Sequence, residues 1–316
     1  MNTLAIKAEL IERAKTLGFD ELRVARAAPA KHRELLAQWI AEGKHGEMQW
    51  MERSLDRRSD PSLVVPGAQS VVVLAMNYFQ GNAHPPTGWR IARYAWNDDY
   101  HDLITPRIRA LDDFLTSRGG RNRSYVDTGP VLERDFASES GLGWGGKSTM
   151  QIHRQLGTWF FLATIITTLE LEPDTQAKDH CGSCTRCMDA CPTQAITAPR
   201  RLDARRCVSY LTIENKGSIP EEFRKAIGDR LYGCDDCLSA CPWNRFAAAS
   251  REATFAARES VFGMKARDFL ALDDDAFRKL FARSPIKRIK RPAFLRNVCV
   301  VLGNTGDASD LEALKH

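Results

Sequence analysis

The sequence predicts an α+β chain in three parts: a mixed α/β domain over residues 1–172, a small cysteine-bound module over 173–250 and a short helical segment over 251–316. Three observations carry that reading. Two apolar, β-branched runs, Ser70 to Phe79 and Thr158 to Leu171, alternate with helical patterns in the first part. Eight of the nine cysteines fall between Cys181 and Cys241. From Glu252 onward the apolar spacing turns helical.

Leu4 to Leu17 spaces its apolar residues as a helix does, and Gly18 stands where such a helix stops. Ser70 to Phe79 (SVVVLAMNYF) is valine-rich and reads as a buried strand. Tyr100 to Ser117 has the pattern of an amphipathic helix ended by Gly119 and Gly120. Ser124 to Asp127 is a short strand that runs into a Gly-Pro turn, and Thr158 to Leu171 is a second core strand. Near the end, Arg291 to Leu302 starts with a proline suited to a helix N-terminus and stops at Gly303, and Ser309 to Lys315 follows. Two such helices could begin a HEAT-like repeat, although one repeat alone cannot bury its apolar face.

The bulk numbers narrow the class. Hydrophobic residues make up 43% and charged residues 27%, which suits a folded soluble chain and argues against disorder. The formal charge of +5 permits an anionic partner without demanding one. The best membrane candidate, Trp159 to Leu171, is too short and is broken by threonines. The N-terminus lacks the apolar core and cleavage site of a secretory signal. A cytoplasmic, membrane-free location is therefore expected. Cysteines kept reduced there point to metal or redox chemistry rather than disulfides.

Cys181, Cys184, Cys187 and Cys191, followed by Pro192, have the C-x2-C-x2-C-x3-C-P spacing of bacterial ferredoxins. In two-cluster ferredoxins the fourth cysteine of that run serves the other cluster. Cys234, Cys237 and Cys241, followed by Pro242, repeat the ending with one cysteine fewer, and Cys207 can supply the missing thiolate. The count closes on two [4Fe–4S] cubes, one held by Cys181, Cys184, Cys187 and Cys241, the other by Cys191, Cys207, Cys234 and Cys237. Two zinc ribbons would want paired C-x2-C knuckles, and neither the third cysteine nor the C-P endings fit them. Cys299, beside Val298 and Val300, reads as a packing residue.

Such a module explains electron delivery, and the first domain must hold what receives the electrons. Gly141 to Ser148 (GLGWGGKS) matches a phosphate-binding loop by letter, but the polar ERDFASES precedes it where a hydrophobic strand is required. The glycines can instead form a turn, or let Lys147 and Ser148 approach the edge of a large flat cofactor. Asp127, at a strand end, can serve as a general acid or simply cap its turn. Arg93 to Trp96 and Asp99 to Asp102 form an aromatic and polar cluster that could line a pocket, with Tyr94, Trp96 and His101 as its candidates.

Together, RYAWNDDYHD (Arg93 to Asp102), VDTGPVLERDFA (Val126 to Ala137), GLGWGGKSTM (Gly141 to Met150), HCGSCTRCMDACPTQAI (His180 to Ile196), RCVSYLTIENKG (Arg206 to Gly217) and RLYGCDDCLSACPWN (Arg230 to Asn244) resemble the epoxyqueuosine reductases, and the resemblance spans nearly the whole chain. The wider architecture also resembles reductive dehalogenases. The resemblance implies a cobalamin-binding catalytic domain, a ferredoxin-like module with two [4Fe–4S] clusters, and removal of the epoxide oxygen of epoxyqueuosine in a tRNA anticodon by cobalamin reduced to Co(I). It implies that Asp127 is the proton donor. Arg58, Lys147 and Ser148 match positions near the corrin, and Tyr94, Trp96, His101 and Ser209 join the cofactor-binding set. Cobalamin would be base-off, because the D-x-H-x-x-G signature of histidine-ligated cobalamin begins at Asp99 but meets Ile104 where glycine is required. A low-potential donor such as flavodoxin or ferredoxin and a monomeric state are expected with it. Two departures stand out. Ala92 occupies a position where some relatives carry cysteine, so no thiol role is expected there. Many relatives also continue with helical repeats beyond the point where this sequence ends, at His316.

A tRNA loop would be held by phosphate contacts and aromatic stacking. Two basic groups could supply the former: Arg200, Arg201, Arg205 and Arg206, and Lys287, Arg288, Lys290 and Arg291. Each could equally be ordinary solvated surface. The nearest competing function is a corrinoid and iron–sulfur reductase acting on a small molecule. A bare electron-transfer protein would leave the first domain without a task.

Overall fold

The computed structural model describes residues 3–81 and 83–315. Strands β1 (Glu21–Arg26), β2 (Ser70–Asn77), β3 (Asn122–Tyr125) and β4 (Phe160–Thr167) form an antiparallel sheet in the order β1-β2-β4-β3. β2 and β4 pair along their whole length, from Ser70 opposite Thr167 to Asn77 opposite Phe160. Every residue of β2 is buried, because both faces of the sheet are covered. Val72, Leu74 and Met76 meet Leu10 of helix α1 (Thr3–Thr16) and Ile104 and Leu111 of helix α2 (Tyr100–Ser117). Val71, Val73 and Ala75 meet Phe136 and Ala137 of helix α3 (Glu133–Glu139). This two-sided burial is why the β2 run is apolar throughout rather than alternating.

β3 ends at Tyr125, two residues short of the strand expected from sequence. Asp127 lies in the loop beyond, with φ of 49°. Aspartate is among the few residues that enter this left-handed region readily, and doing so turns the chain out of the sheet.

The cysteine module holds helices α4 (Arg186–Asp189), α5 (Val208–Ile213), α6 (Glu221–Ile227) and α7 (Asp236–Ser239) and strand β5 (Arg230–Tyr232). α4 and α7, one from each half of the cysteine pattern, pack on each other. β5 pairs in parallel with Arg90–Ile91, so the module shares a small sheet with the first part of the chain.

Beyond it, helix α8 (Lys290–Thr305) buries Phe294, Val298, Val301 and Leu302 against Trp89, Trp96, Leu231, Phe269 and Phe281. Its apolar face is thus used up by the body of the protein rather than by a second repeat. The helix also runs past Gly303, where the sequence suggested a stop. Gly303 is exposed with open space around it, and an exposed glycine weakens a helix without ending it. Cys299, expected to pack inside, is exposed on the far side of α8 from Val298, Val301 and Leu302.

Asn297 of α8 is fully buried, and its Nδ2 donates to the carbonyls of Thr212 (2.8 Å) and Leu231 (2.9 Å). It pins α8 to α5 and β5 at once. Asn297→Leu is expected to strand both carbonyls and cost about 2–3 kcal/mol, read as a lower midpoint in urea unfolding.

Candidate active site

The helices and loops that leave the sheet enclose a cleft of about 2400 Å³, more than twice the upper size of an ordinary ligand pocket. One wall carries Tyr100 and His101 from the start of α2, with Asp127 and Glu133 from the loop and helix after β3. Another carries Trp50 and Arg58. A third is the cysteine module, through Cys191, Cys207, Cys234 and Cys237.

Asp127 stands at the centre of a hydrogen-bond network. The Tyr100 hydroxyl donates to its Oδ2, and His101 Nε2 lies 3.0 Å from its Oδ1. His101 Nδ1 lies 2.7 Å from Asp99 Oδ1, and its ring stacks on Tyr100 with centroids 4.2 Å apart. The imidazole is therefore held between two carboxylates. Burial works against its charged form, but the hydrogen bonds to Asp127 and Asp99 prevail and lift its pKa to about 10. His101 stays protonated through neutral pH. Burial and the Asp127 charge push the Tyr100 phenol well up, so it remains a donor.

Of the other residues singled out from sequence, Arg58, Tyr94, Ser148 and Ser209 also line the cleft. Arg58 is buried, donates from Nε to Ser54 Oγ (2.8 Å) and sits over the Trp50 ring. Tyr94 packs edge-on to Tyr100. Ser209 holds the loop of Cys234 through that residue's carbonyl, at 3.5 Å. Trp96 and Lys147 do not belong to the lining. Trp96 is turned away by the 3-10 turn Arg93–Ala95, donates to the Ile91 carbonyl and packs edge-on against Phe262. Lys147 points at the cysteine loop, where its Nζ donates to the carbonyls of Gly182 (2.7 Å) and Cys184 (2.9 Å). The GLGWGGKS segment is thus a turn, with Trp144–Gly145 paired to Gln151–Ile152, rather than a phosphate loop. Ala92 is buried outside the cleft lining.

The thiols gather in two sets. Cys241 feels the charges of Cys181, Cys187 and Cys184, and Cys187 those of Cys181 and Cys184. Cys237 feels Cys234, Cys207 and Cys191. The second set borders the cleft and the first does not. Burial drives Cys234 and Cys237 of the second set up hardest, Cys234 to about 12 and Cys237 well above its usual value. Eight soft sulfur donors in two groups of four suit iron–sulfur cubes.

Comparison with known proteins supports two clusters in this module. Residues 180–244 match the 4Fe-4S double cluster binding domain, and residues 58–128 match the family described as epoxyqueuosine reductase QueG, DUF1730. An epoxyqueuosine reductase of Xanthomonas campestris is 42% identical, over 96% of this chain and 89% of that protein. The chain belongs to the epoxyqueuosine reductase family. Its fold superposes with a TM-score of 0.89 on a crystal structure of epoxyqueuosine reductase with an epoxyqueuosine-modified tRNA-Tyr stem loop, at 33% identity, over 99% of this chain and 85% of that one. The same score relates it to the Bacillus subtilis enzyme with its catalytic aspartate loop swung out of the active site, at 32% identity, over 99% of this chain and 85% of that one.

Within this family member, one acid escaped the sequence reading. Glu133, half-buried in the same cleft wall, accepts from the Asp127 backbone N–H (3.2 Å) and the Thr164 hydroxyl (3.4 Å). Burial, then the Asp127 charge, raise its carboxyl to about 8. In the unfolded chain it ionises near 4.5. Folding therefore holds a proton between pH 4.5 and 8, and the stability from Glu133 falls as pH rises through that window. Glu133→Gln cannot ionise. It is expected to match the native protein near pH 4.5 and exceed it by about 1–2 kcal/mol above pH 8, after allowance for water that reaches the cleft. Thermal melts at both pH values measure the gap.

The two basic groups divide. Arg200, Arg201, Lys287 and Arg288 line the cleft from two sides. Arg205 pairs with Asp203, Arg206 donates to the Thr193 carbonyl over the Phe223 ring, and Arg291 holds the Leu272 carbonyl. Only the first four are placed to meet a ligand in the cleft.

Proposed function

We propose that this chain reduces epoxyqueuosine to queuosine at the wobble position of a tRNA, drawing electrons through two [4Fe–4S] clusters, with cobalamin bound base-off in the cleft. One observation carries the reading: the Asp127–Tyr100–His101 network and one full set of four thiols face the same cleft. Overall the reaction takes up two electrons and two protons. Both C–O bonds to the epoxide oxygen break, a C=C bond forms and the oxygen leaves as water.

The cleft suits the cofactor. It has room for a large flat ring beside a nucleoside, and its walls carry buried polar atoms without a partner, Gln151 Nε2 and Trp144 Nε1, that amide-fringed corrin edges can satisfy. His101 is engaged by Asp99 and Asp127, which agrees with base-off binding free of a protein imidazole. Arg58, Tyr94, Ser148 and Ser209 would border the ring. Cobalamin, when bound, supplies the strongly reducing cobalt centre. The protein supplies the proton. Asp127 relays to the departing oxygen a proton taken from His101, cationic and 3.0 Å away, and the second proton of the water comes from solvent. Arg200, Arg201, Lys287 and Arg288 would hold anticodon phosphates at the rim.

In this scheme residues 1–172 hold the cobalamin, 173–250 the clusters, and 251–316 brace the cleft from below. The chain works as a monomer in the cytoplasm, fed by a flavodoxin or ferredoxin. Among the described residues no helix is long and apolar enough to cross a membrane.

The test is direct. Protein with clusters reconstituted anaerobically, cobalamin, a low-potential reductant and tRNA bearing epoxyqueuosine are combined, and the digested nucleosides are weighed by mass spectrometry. Cobalamin-dependent loss of one oxygen is expected. No conversion with clusters intact and cobalamin bound would remove the tRNA reading.

A further inference from the structure

The two thiol sets differ in where they sit. Cys191, Cys207, Cys234 and Cys237 border the cleft, and the loop around Cys234 and Cys237 is largely buried. Cys181, Cys184, Cys187 and Cys241 lie outside the cleft lining, and the loop that carries the first three has Gly182, Ser183, Thr185 and Arg186 exposed. Electrons from another protein must enter where a cluster lies nearest the surface, since tunnelling weakens steeply with distance.

Around this outer set the surface is unusual. Phe246 is 48% exposed, one of few large apolar side chains so open. It packs on half-buried Trp243 (5.5 Å), which in turn meets His180 (5.6 Å) and Trp144 (4.9 Å). Trp243 also donates its backbone N–H to the Cys241 sulfur, and His180 directly precedes Cys181. An aromatic chain therefore runs from the surface to the outer thiols. Arginines flank it. Arg186 precedes Cys187, Arg245 lies over the Phe246 ring at 4.6 Å, and Arg154 sits in the 153–157 turn that packs on Asn244. All three are exposed, and among the described residues none pairs with an acid. Exposed aromatics with unpaired arginines are the composition of a docking surface. A small, charge-steered patch suits the brief encounters of electron-transfer proteins.

We propose that this face, centred on Phe246 and ringed by Arg154, Arg186 and Arg245, docks an acidic one-electron carrier protein, which passes electrons first to the outer cluster and from there to the cluster at the cleft. The inference rests on the two-cluster reading given above. Each encounter moves one electron: a flavodoxin hydroquinone becomes its semiquinone as one oxidised [4Fe–4S] cluster is reduced.

The test mixes reconstituted protein with the hydroquinone form of a purified acidic flavodoxin in a stopped-flow spectrometer and follows the semiquinone. Two double variants are compared with the native chain: Arg186→Glu with Arg245→Glu, and Arg154→Glu with Phe246→Ser. At low ionic strength the bimolecular rate of each is expected to fall by about 10-fold or more, with the gap narrowing at 0.5 M salt. Conversion of epoxyqueuosine driven by dithionite, which needs no docking, is expected to be unchanged. Should the first pair lose iron, the second pair decides. Unchanged flavodoxin rates in variants with full iron content would overturn the proposal. So would weaker binding of the tRNA stem-loop, read by fluorescence anisotropy, with flavodoxin rates intact, because the face would then belong to RNA. Failure of the dithionite reaction in the native chain would instead count against the function itself.

Discussion

Asp127→Asn is expected to leave a folded, cluster-loaded protein that turns over about 10²–10⁴-fold more slowly. Asparagine is the informative replacement because Asp127 has φ of 49°, which asparagine tolerates and alanine does not. It can still accept from the Tyr100 hydroxyl, so the network keeps its shape but loses the carboxylate that relays the proton. Two further readouts separate a chemical role from a structural one. Cobalamin affinity and iron content are expected to stay unchanged. His101, deprived of one of its two carboxylate partners, is expected to titrate well below the value of about 10 that it has in the native chain, which NMR of the imidazole can follow. The native enzyme is expected to lose activity as pH approaches 10 and His101 can no longer return the proton, whereas the variant has no such limb to lose. An unshifted histidine titration would show that Asp127 does not hold His101.

The same network shows why the site was only partly legible. The cysteines could be read in order because a cube imposes its own spacing on the loop around it, and that spacing is local in sequence. Asp127, Tyr100 and Glu133 meet only because α2 and the β3–α3 loop emerge at the same end of one sheet, a fact of register and not of spacing. Asp127 and His101 stood out as a possible acid and a member of a possible pocket, but only the resemblance chose the acid over a turn cap. Glu133 sits in ERDFASES, which looks like an ordinary polar helix start, and nothing in the string says that its carboxyl accepts from the Asp127 backbone. Trp96 and Lys147 failed for a related reason. A single 3-10 turn sends Tyr94 to the cleft and Trp96 to the core, and the lysine of a motif that resembles a phosphate loop is spent on two carbonyls of the cysteine loop. The sheet was the easier part. A strand buried on both faces, such as β2, has a continuous apolar run that few other elements share, while the end of α8 was misplaced because Gly303 faces solvent and costs the helix too little to stop it.

Cys207 carries the second large effect. It is the one cluster thiol outside both compact motifs. It stands at the start of α5, where the backbone N–H groups of Ser209 and Tyr210 and the Ser209 hydroxyl oppose the burial that raises its pKa. Those donors favour a thiolate there, as a cluster ligand requires. Cys207→Ala is expected to halve the iron content and abolish tRNA-dependent turnover, because the cluster at the cleft is lost while the outer one survives. Cys299→Ala, on the exposed side of α8, is expected to change neither. Double variants then test how the thiols are shared. If Cys191 and Cys207 serve one cube, replacing both removes no more iron than replacing either. Replacing Cys207 together with Cys241 removes both cubes, because each change strikes a different set. Equal iron loss in the two double variants would break the pairing, and with it the order in which electrons reach the cleft.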